Sequence, residues 1–161
     1  MLKNVNQLIK DYTGHLQQGE IQAAYKVILE FIGKLRSDFI KKYPDNNIGN
    51  MYQGYMDMTY FSLTTESLKD KGLKIAIVYL HEKGAFEVWL SARNRDTAKK
   101  YEAIINSDIS DEINVFHDKA NRDAIIECTL TATPNFEDQA LLTAIIDQGV
   151  KKFVQAVSSH I

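Results

Sequence analysis

Apolar residues recur at helical spacing in three parts of the chain. They predict a short helix over residues 4–17, a longer helix from about 20 to 43, and a terminal helix that opens at TPNFEDQ, residues 133–139. Gly19 separates the first two helices, and Pro44 ends the second because proline disfavours helical backbone in the residue before it. The proline and acidic residues of TPNFEDQ are typical of a helix start, where N–H groups are unpaired.

The middle of the chain is rich in β-branched and aromatic residues, which favour strands. Strands are predicted over residues 52–63, 73–80, 85–91 and 124–132, with a further short strand over 113–116. The segment 73–80, LKIAIVYL, is apolar at both odd and even positions, which indicates a central strand covered on both faces. A helical turn is expected within 64–72. Another helix, capped by Ser91 or Asn94, should extend to about Asn106.

The two central strands are expected to form a hairpin around the loop Glu82–Gly84. With a three-residue loop, Tyr79 lies opposite Glu87 and Ile77 lies opposite Trp89. The elements follow roughly the order ααβββαββα. We therefore predict a single α+β domain over residues 1–161, with a mainly antiparallel sheet packed by helices.

Three stretches carry a resemblance to known proteins: GEIQAAYKVILEFIGKLRSDFIKKYPD, GYMDMTYFSLT and LKIAIVYLHEKGAFEVWLSARNR. Together they resemble a family of small stand-alone bacterial proteins with no assigned function, and the similarity extends to the terminal helix. The resemblance implies a bacterial origin and a free-standing domain. It transfers no catalytic residue to this chain.

Composition narrows the classes of partner. The chain has 161 residues and a net charge of −2, so nothing attracts nucleic acid or an anionic membrane globally. Aromatic residues crowd the predicted strands, but no basic strip interleaves with them as in single-strand nucleic-acid readers. No apolar run is long enough to span a membrane, the N-terminus lacks a signal peptide, and Cys128 has no cysteine to pair with. We expect a cytoplasmic protein without a nucleic-acid or membrane partner.

Motifs for the common chemistries are missing. The four histidines are isolated, none at a metal-ligating spacing, and no glycine-rich phosphate loop or GxSxG motif occurs. We therefore predict no catalytic residue, no metal site and no cofactor, and leave open whether the chain is an enzyme. Cys128 is expected to be a small core residue, and His81 a solvated turn residue.

The stretch FEVWLSARNRDTAKK, residues 86–100, is the best candidate for a site. Glu87 and Trp89 share one face of a strand, and Arg93 and Arg95 follow at the start of a helix, where unpaired N–H groups favour anions. Asp96 in the first turn works against an anion there. We predict a binding module with a pocket for a small polar or anionic ligand, to which Tyr55 and Asp57 would add hydrogen bonds.

The sequence also allows two other functions. Asp57 and Glu87 on neighbouring strands could hold Mg²⁺ as in a divergent nuclease or phosphodiesterase, with Glu30 as a third acid. The lysine that such enzymes place two residues after the strand acid is absent, because Trp89 occupies that position. The other alternative is a homodimeric or protein-interaction module that uses an exposed sheet edge or a long helix.

Overall fold

The computed structural model describes residues 2–161, and its first two helices precede a sheet whose strands are interrupted by two short helices. The α-helices and strands are α1 (Val5–Gln18), α2 (Glu20–Lys42), β1 (Asn47–Ile48), β2 (Met58–Thr64), α3 (Glu66–Asp70), β3 (Leu73–Leu80), β4 (Ala85–Ala92), α4 (Arg95–Tyr101), β5 (Ile126–Thr131) and α5 (Gln139–Ser159). Two 3₁₀ turns, Glu102–Asn106 and Asp108–Asp111, follow α4. The predicted α+β class is confirmed, and the order of elements matches roughly.

The five strands form one antiparallel sheet in the order β1-β2-β3-β4-β5. Strand residues alternate between two faces. On the face that we call the first face, α2 and α5 cover the strands. Phe31 of α2 meets Phe86 edge-on at 5.8 Å between ring centroids, and Phe39 meets Phe61 at 5.5 Å. The main hydrophobic core therefore lies between these helices and the first face.

The register of the central hairpin differs by one residue from the prediction. Leu80 pairs with Ala85, so that Val78 lies opposite Glu87 and Ala76 lies opposite Trp89. The cause is the loop, which has four residues, His81–Gly84, rather than three. Glu87 and Trp89 still share a face, because the shift moves the opposite strand and not β4 itself.

Other bounds were predicted less well. β2 begins only at Met58, because positive φ angles at Gly54 and Met56 interrupt extended backbone before it. The predicted strand over 113–116 is reduced to one bridge between Phe116 and Glu127. α5 starts at Gln139, after Pro134, because Asp138 is its cap and accepts a hydrogen bond from the Leu141 N–H group. Asn94 caps α4, as the sequence suggested, by accepting from the Thr97 N–H group.

His81 is half-buried and not solvated as expected. Its Nε2 lies 2.8 Å from Oγ1 of the fully buried Thr59, and its ring contacts the rings of Tyr25 and Tyr79. Burial holds the pKa of His81 below its ordinary value, and the nearby charge of Asp57 opposes that shift only in part. The folded protein therefore favours the neutral imidazole.

We expect the free energy of unfolding to fall as the pH drops below about 6.5, the ordinary His pKa. The unfolded chain takes up the proton first, so His81 stabilises the fold above that pH and loses this contribution as the pH falls through its folded pKa. Urea unfolding at pH 7.5 and at lower pH measures this effect. In His81→Gln the free energy of unfolding should depend less on pH than in the wild type. His15→Gln, at an exposed position, serves as the control and should keep the wild-type slope. Equal slopes in all three proteins would contradict the prediction.

Helix α1 contributes no buried residue to the core. Gly19 alone joins it to α2, in a left-handed conformation with φ of +80°. Its apolar stripe faces outward: Leu8 and Ile9 are each 56 % exposed, and Val5 and Tyr12 are exposed as well. The stability of the isolated chain should therefore depend little on this stripe.

Leu8→Gln and Ile9→Gln are two single variants. Each should change the free energy of unfolding by less than about 0.5 kcal/mol, as at other surface positions. Leu35→Ala is the contrasting variant: Leu35 is 1 % exposed on α2, and its truncation should cost about 2–5 kcal/mol. Urea unfolding measures both. A loss at Leu8 as large as that at Leu35 would mean that a second copy covers the stripe in solution, which light scattering on the same samples would show.

Candidate functional site: a basic cavity on the second face of the sheet

The second face of the sheet carries polar and aromatic residues among apolar ones. Cross-strand pairing places Tyr60, Val78 and Glu87 in one row, and Ala76, Trp89 and Glu127 in the next. Within residues 2–161, no long helix lies on this face. A smaller apolar cluster around Ala76, Val78 and Trp89 takes the place of a second core.

Helix α4 and the segment 117–125 extend over part of the second face and leave a cavity of about 1170 Å³ beneath them. Tyr60, Ala76 and Trp89 contribute its sheet side. Two bonds to β4 hold the segment in place: Ser91 Oγ donates to the Asp123 carbonyl, and the Ile125 N–H group donates to the Leu90 carbonyl at 2.7 Å. We call this space the basic cavity.

Positive charge dominates the lining of the basic cavity. Five cationic side chains line it: Lys74, Arg95, Lys99, Lys119 and Arg122. Only two acids do so, Glu102 and Asp123. Among residues 2–161, the ion pairs within 4 Å involve none of these five cations. The cavity therefore concentrates unneutralised positive charge in a chain whose net charge is −2.

A buried acid on the same strand face holds Trp89 in place. Its Nε1–H group donates to Glu87 Oε1 at 2.9 Å, while Lys83 Nζ lies 3.2 Å from the other carboxylate oxygen. Glu87 is 3 % exposed and Trp89 is 5 % exposed. Glu87 does not line the cavity itself. It fixes the orientation of the indole that does.

A second buried acid orients a histidine at the cavity wall. Glu127 is 1 % exposed, and its Oε1 lies 2.9 Å from Nδ1 of His117. Its Oε2 accepts the Asp118 N–H group at 3.0 Å. His117 lines the basic cavity. The site thus contains a positioned imidazole among cations.

Sequence reasoning did not find this His117–Glu127 pair. One signal was present: Glu127 interrupts the otherwise apolar start of the predicted strand AIIECTLTA, and a charged residue buried there needs a partner. Nothing in the polar stretch around His117 marked it as that partner. The pairing depends on the return of the chain beside β5 at Phe116, which is a tertiary contact.

The predicted site residues divide into two groups in space. Trp89 and Arg95 line the basic cavity, and Glu87 lies two residues from Trp89 on the same face of β4 and accepts a hydrogen bond from it. Arg93 does not line the cavity. Its side chain lies so close to Gly72 that a Cβ there would come within 2.9 Å of Nε.

Tyr55 and Asp57 lie at the opposite end of the sheet from the two arginines. The backbone carbonyl of Asp57 accepts the His81 N–H group, which places Asp57 at the hairpin loop. Arg93 follows the other end of β4. A strand of eight residues separates these ends by about 23 Å. Tyr55 is 90 % exposed. One small ligand could not contact both groups.

Asp57 also keeps its charge for a local reason. The backbone N–H group of Tyr55, followed by those of Met58 and Asp57 itself, holds the pKa of its carboxyl below the ordinary value. Glu87 is two strands away from Asp57. Its cross-strand row contains Tyr60, which is three residues after Asp57 in the sequence. Glu30 is on α2, which covers the opposite face, and pairs with Lys26 at 3.9 Å. The structure does not bring these three acids together.

Metal binding, thiol reactivity and membrane spanning can each be checked within residues 2–161. No group of three or more His, Cys, Asp or Glu side chains in this range is arranged to hold a metal ion. Burial raises the pKa of the half-buried Cys128 thiol, and the charge of Glu87 adds to this, so the reactive thiolate is disfavoured. None of the helices in this range has the length and apolarity to cross a membrane.

A family model for a domain of unknown function, DUF7000, matches residues 5–161. The chain belongs to the DUF7000 family. The resemblance seen in the sequence to an uncharacterised family is thereby confirmed. No curated protein and no solved structure matches this DUF7000 chain.

Glu87→Ala should destabilise the DUF7000 domain by about 2–4 kcal/mol, because the buried Trp89 N–H group loses its acceptor. Glu87→Gln keeps an acceptor and should cost less than half as much. Lys83 is 55 % exposed through its side chain and returns to water in both variants. Urea unfolding followed by the fluorescence of Trp89, the single tryptophan, measures the effect. Glu82→Ala, in the exposed loop, is the control; equal small losses in all three variants would contradict the assignment.

Proposed function

We propose that the domain is a small-ligand binding module whose ligand is an anion with an apolar or aromatic part. The ligand occupies the basic cavity. The observation that carries this proposal is the set of five cationic side chains that line one cavity without an ion-pair partner within 4 Å among residues 2–161.

The cations supply the recognition of charge. Arg95 comes from α4, Arg122 from the segment above the sheet and Lys74 from β3, so an anion between them would be approached from three elements. Arginine offers a planar fork that matches the oxygens of a phosphate or carboxylate. Lysine adds a point charge without that geometry. A phosphoryl or carboxylate group is the chemistry that this lining fits.

The sheet side of the cavity supplies the apolar contact. Met58, Tyr60, Ala76 and Trp89 line it, and the rings of Tyr52 and Tyr60 lie 5.1 Å apart between centroids. A volume of about 1170 Å³ slightly exceeds the usual range of small-molecule sites, which ends at about 1,000 Å³. An inorganic ion alone would leave most of it empty. We therefore favour a metabolite the size of a nucleotide or an aromatic acid.

In this proposal Trp89 supplies apolar contact and Arg95 supplies positive charge. Glu87 becomes a support for Trp89, while Arg93, Tyr55 and Asp57 lie outside the proposed site. We further propose a cytoplasmic, bacterial setting. The half-buried unpaired Cys128 is compatible with a reducing compartment.

Arg95→Ala and Arg122→Ala should each weaken binding of a phosphorylated or carboxylated aromatic ligand by about 10-fold or more, the effect of losing a charge-assisted hydrogen bond. A thermal-shift screen of nucleotides and aromatic acids at 150 mM salt, followed by calorimetry, provides the measurement. At this salt concentration the influence of distant charges is screened.

Arg93→Ala is the matched control for this experiment. It removes the same charge two residues away from Arg95, at an exposed position that does not line the cavity. Binding should survive in Arg93→Ala and weaken in Arg95→Ala. Equal losses in the two variants, or no shift with any anion in the screen, would reject the basic cavity as an anion site.

A further inference from the structure

We propose that His117 takes up a proton when an anion binds in the basic cavity, and that the buried carboxylate of Glu127 positions it to do so. This inference rests on the proposed anion-binding function and names a residue that selects for the charge of the ligand. The pair links ligand binding to pH.

The hydrogen bonds of Glu127 determine which nitrogen of His117 is free. Both carboxylate oxygens are engaged, one by the imidazole Nδ1 and the other by the Asp118 N–H group. A carboxylate only accepts hydrogen bonds, so Nδ1 must carry the proton. Nε2 is then the nitrogen left for a ligand. The His117 side chain is 32 % exposed and lines the cavity.

In the neutral ring, Nε2 presents a lone pair, which repels the oxygen of an anion. In the protonated ring, Nε2–H donates to that oxygen, and the imidazolium lies between the carboxylate of Glu127 and the ligand. An anion therefore binds better to the protonated form. By reciprocity, binding must favour protonation to the same extent.

Other charges near His117 act in both directions. Lys119 and Arg122 line the same cavity and disfavour a further positive charge. Lys83, whose Nζ lies 5.9 Å from the ring centre of the adjacent Phe116, acts in the same sense. Asp118 and Asp123 favour it. A bound anion offsets the nearby cations, which is why occupancy of the cavity changes the protonation of the ring.

The segment that carries His117 does not depend on Glu127 for its attachment to β5. The segment is already attached to β5 by two backbone hydrogen bonds between Phe116 and Glu127, at 2.9 and 2.8 Å. Leaving a carboxylate buried is costly unless it is fully hydrogen-bonded. Attachment of the segment therefore does not require this acid. What the acid adds is a hydrogen bond at 2.9 Å to Nδ1 of the imidazole.

The test uses sulfate and naphthalene-1-sulfonate, anions that do not titrate near neutral pH. Calorimetry at one pH in two buffers of different ionisation enthalpy gives the number of protons taken up per anion bound. The wild-type protein should take up a fraction of one proton, and its Kd should rise several-fold from pH 6 to pH 8. His117→Gln should bind more weakly at pH 6, take up no proton and lose the pH dependence.

Two variants separate positioning from structure. Glu127→Gln still accepts from the Asp118 N–H group but removes the charge that favours the imidazolium, so proton uptake should fall with the cavity cations unchanged. His15→Gln, on α1 and exposed, should match the wild type. Long-range ¹H–¹⁵N spectra of the ring, assigned by the missing signal in His117→Gln, should show Nδ1–H in the free protein and an imidazolium with ligand.

The outcomes distinguish this inference from the function beneath it. Anion binding without proton uptake, or with the same uptake in His117→Gln, overturns the role of His117 and leaves the anion site standing. A ring that carries its proton on Nε2 in the free protein also overturns it. If neither sulfonate nor sulfate binds and the wider screen of anions is silent, both proposals fall.

Discussion

A carboxylate that is removed from water must be hydrogen-bonded, and much of the second face of the sheet is organised by this requirement. Glu87 and Glu127 lie next to Trp89, one beside it along β4 and the other across from it on β5. Each is almost completely buried, and each accepts a hydrogen bond from a side chain that borders the basic cavity. Without those partners the acids would strongly destabilise the fold. With them, they hold an indole and an imidazole in fixed orientations.

The same requirement is met on the other side of the molecule, with a different consequence. Asp147 of α5 is buried and accepts from Tyr43 and Lys42 at the end of α2. Burial, together with the charge of Asp147, raises the pKa of Tyr43, so the phenol remains a donor. There the buried acid joins two helices over the main core. On the second face, none of the long helices in the described part of the chain completes the layer, and the equivalent side chains border a cavity.

Patterns of hydrophobicity predicted the fold class because they report on local geometry. Helix α2, the strands β3 and β4 and the antiparallel sheet all follow from spacing and residue type. The errors occurred where a turn or a cap decided the outcome. A hairpin loop of four residues moved the register by one, and Asp138 rather than the earlier proline set the start of α5. Turn lengths and caps depend on a few atoms, which periodicity does not describe.

The candidate site divides along the same line. The sequence by itself determined that Glu87 and Trp89 share a strand face and that Arg95 opens the following helix, since both statements concern neighbours along the chain. Only the tertiary structure decided that Asp57 lies a strand length away from Arg93 and that His117 meets Glu127. Those relations depend on which segments pack against the sheet and at which positions. Many contacts between residues distant in sequence determine this packing together, and no local pattern encodes it.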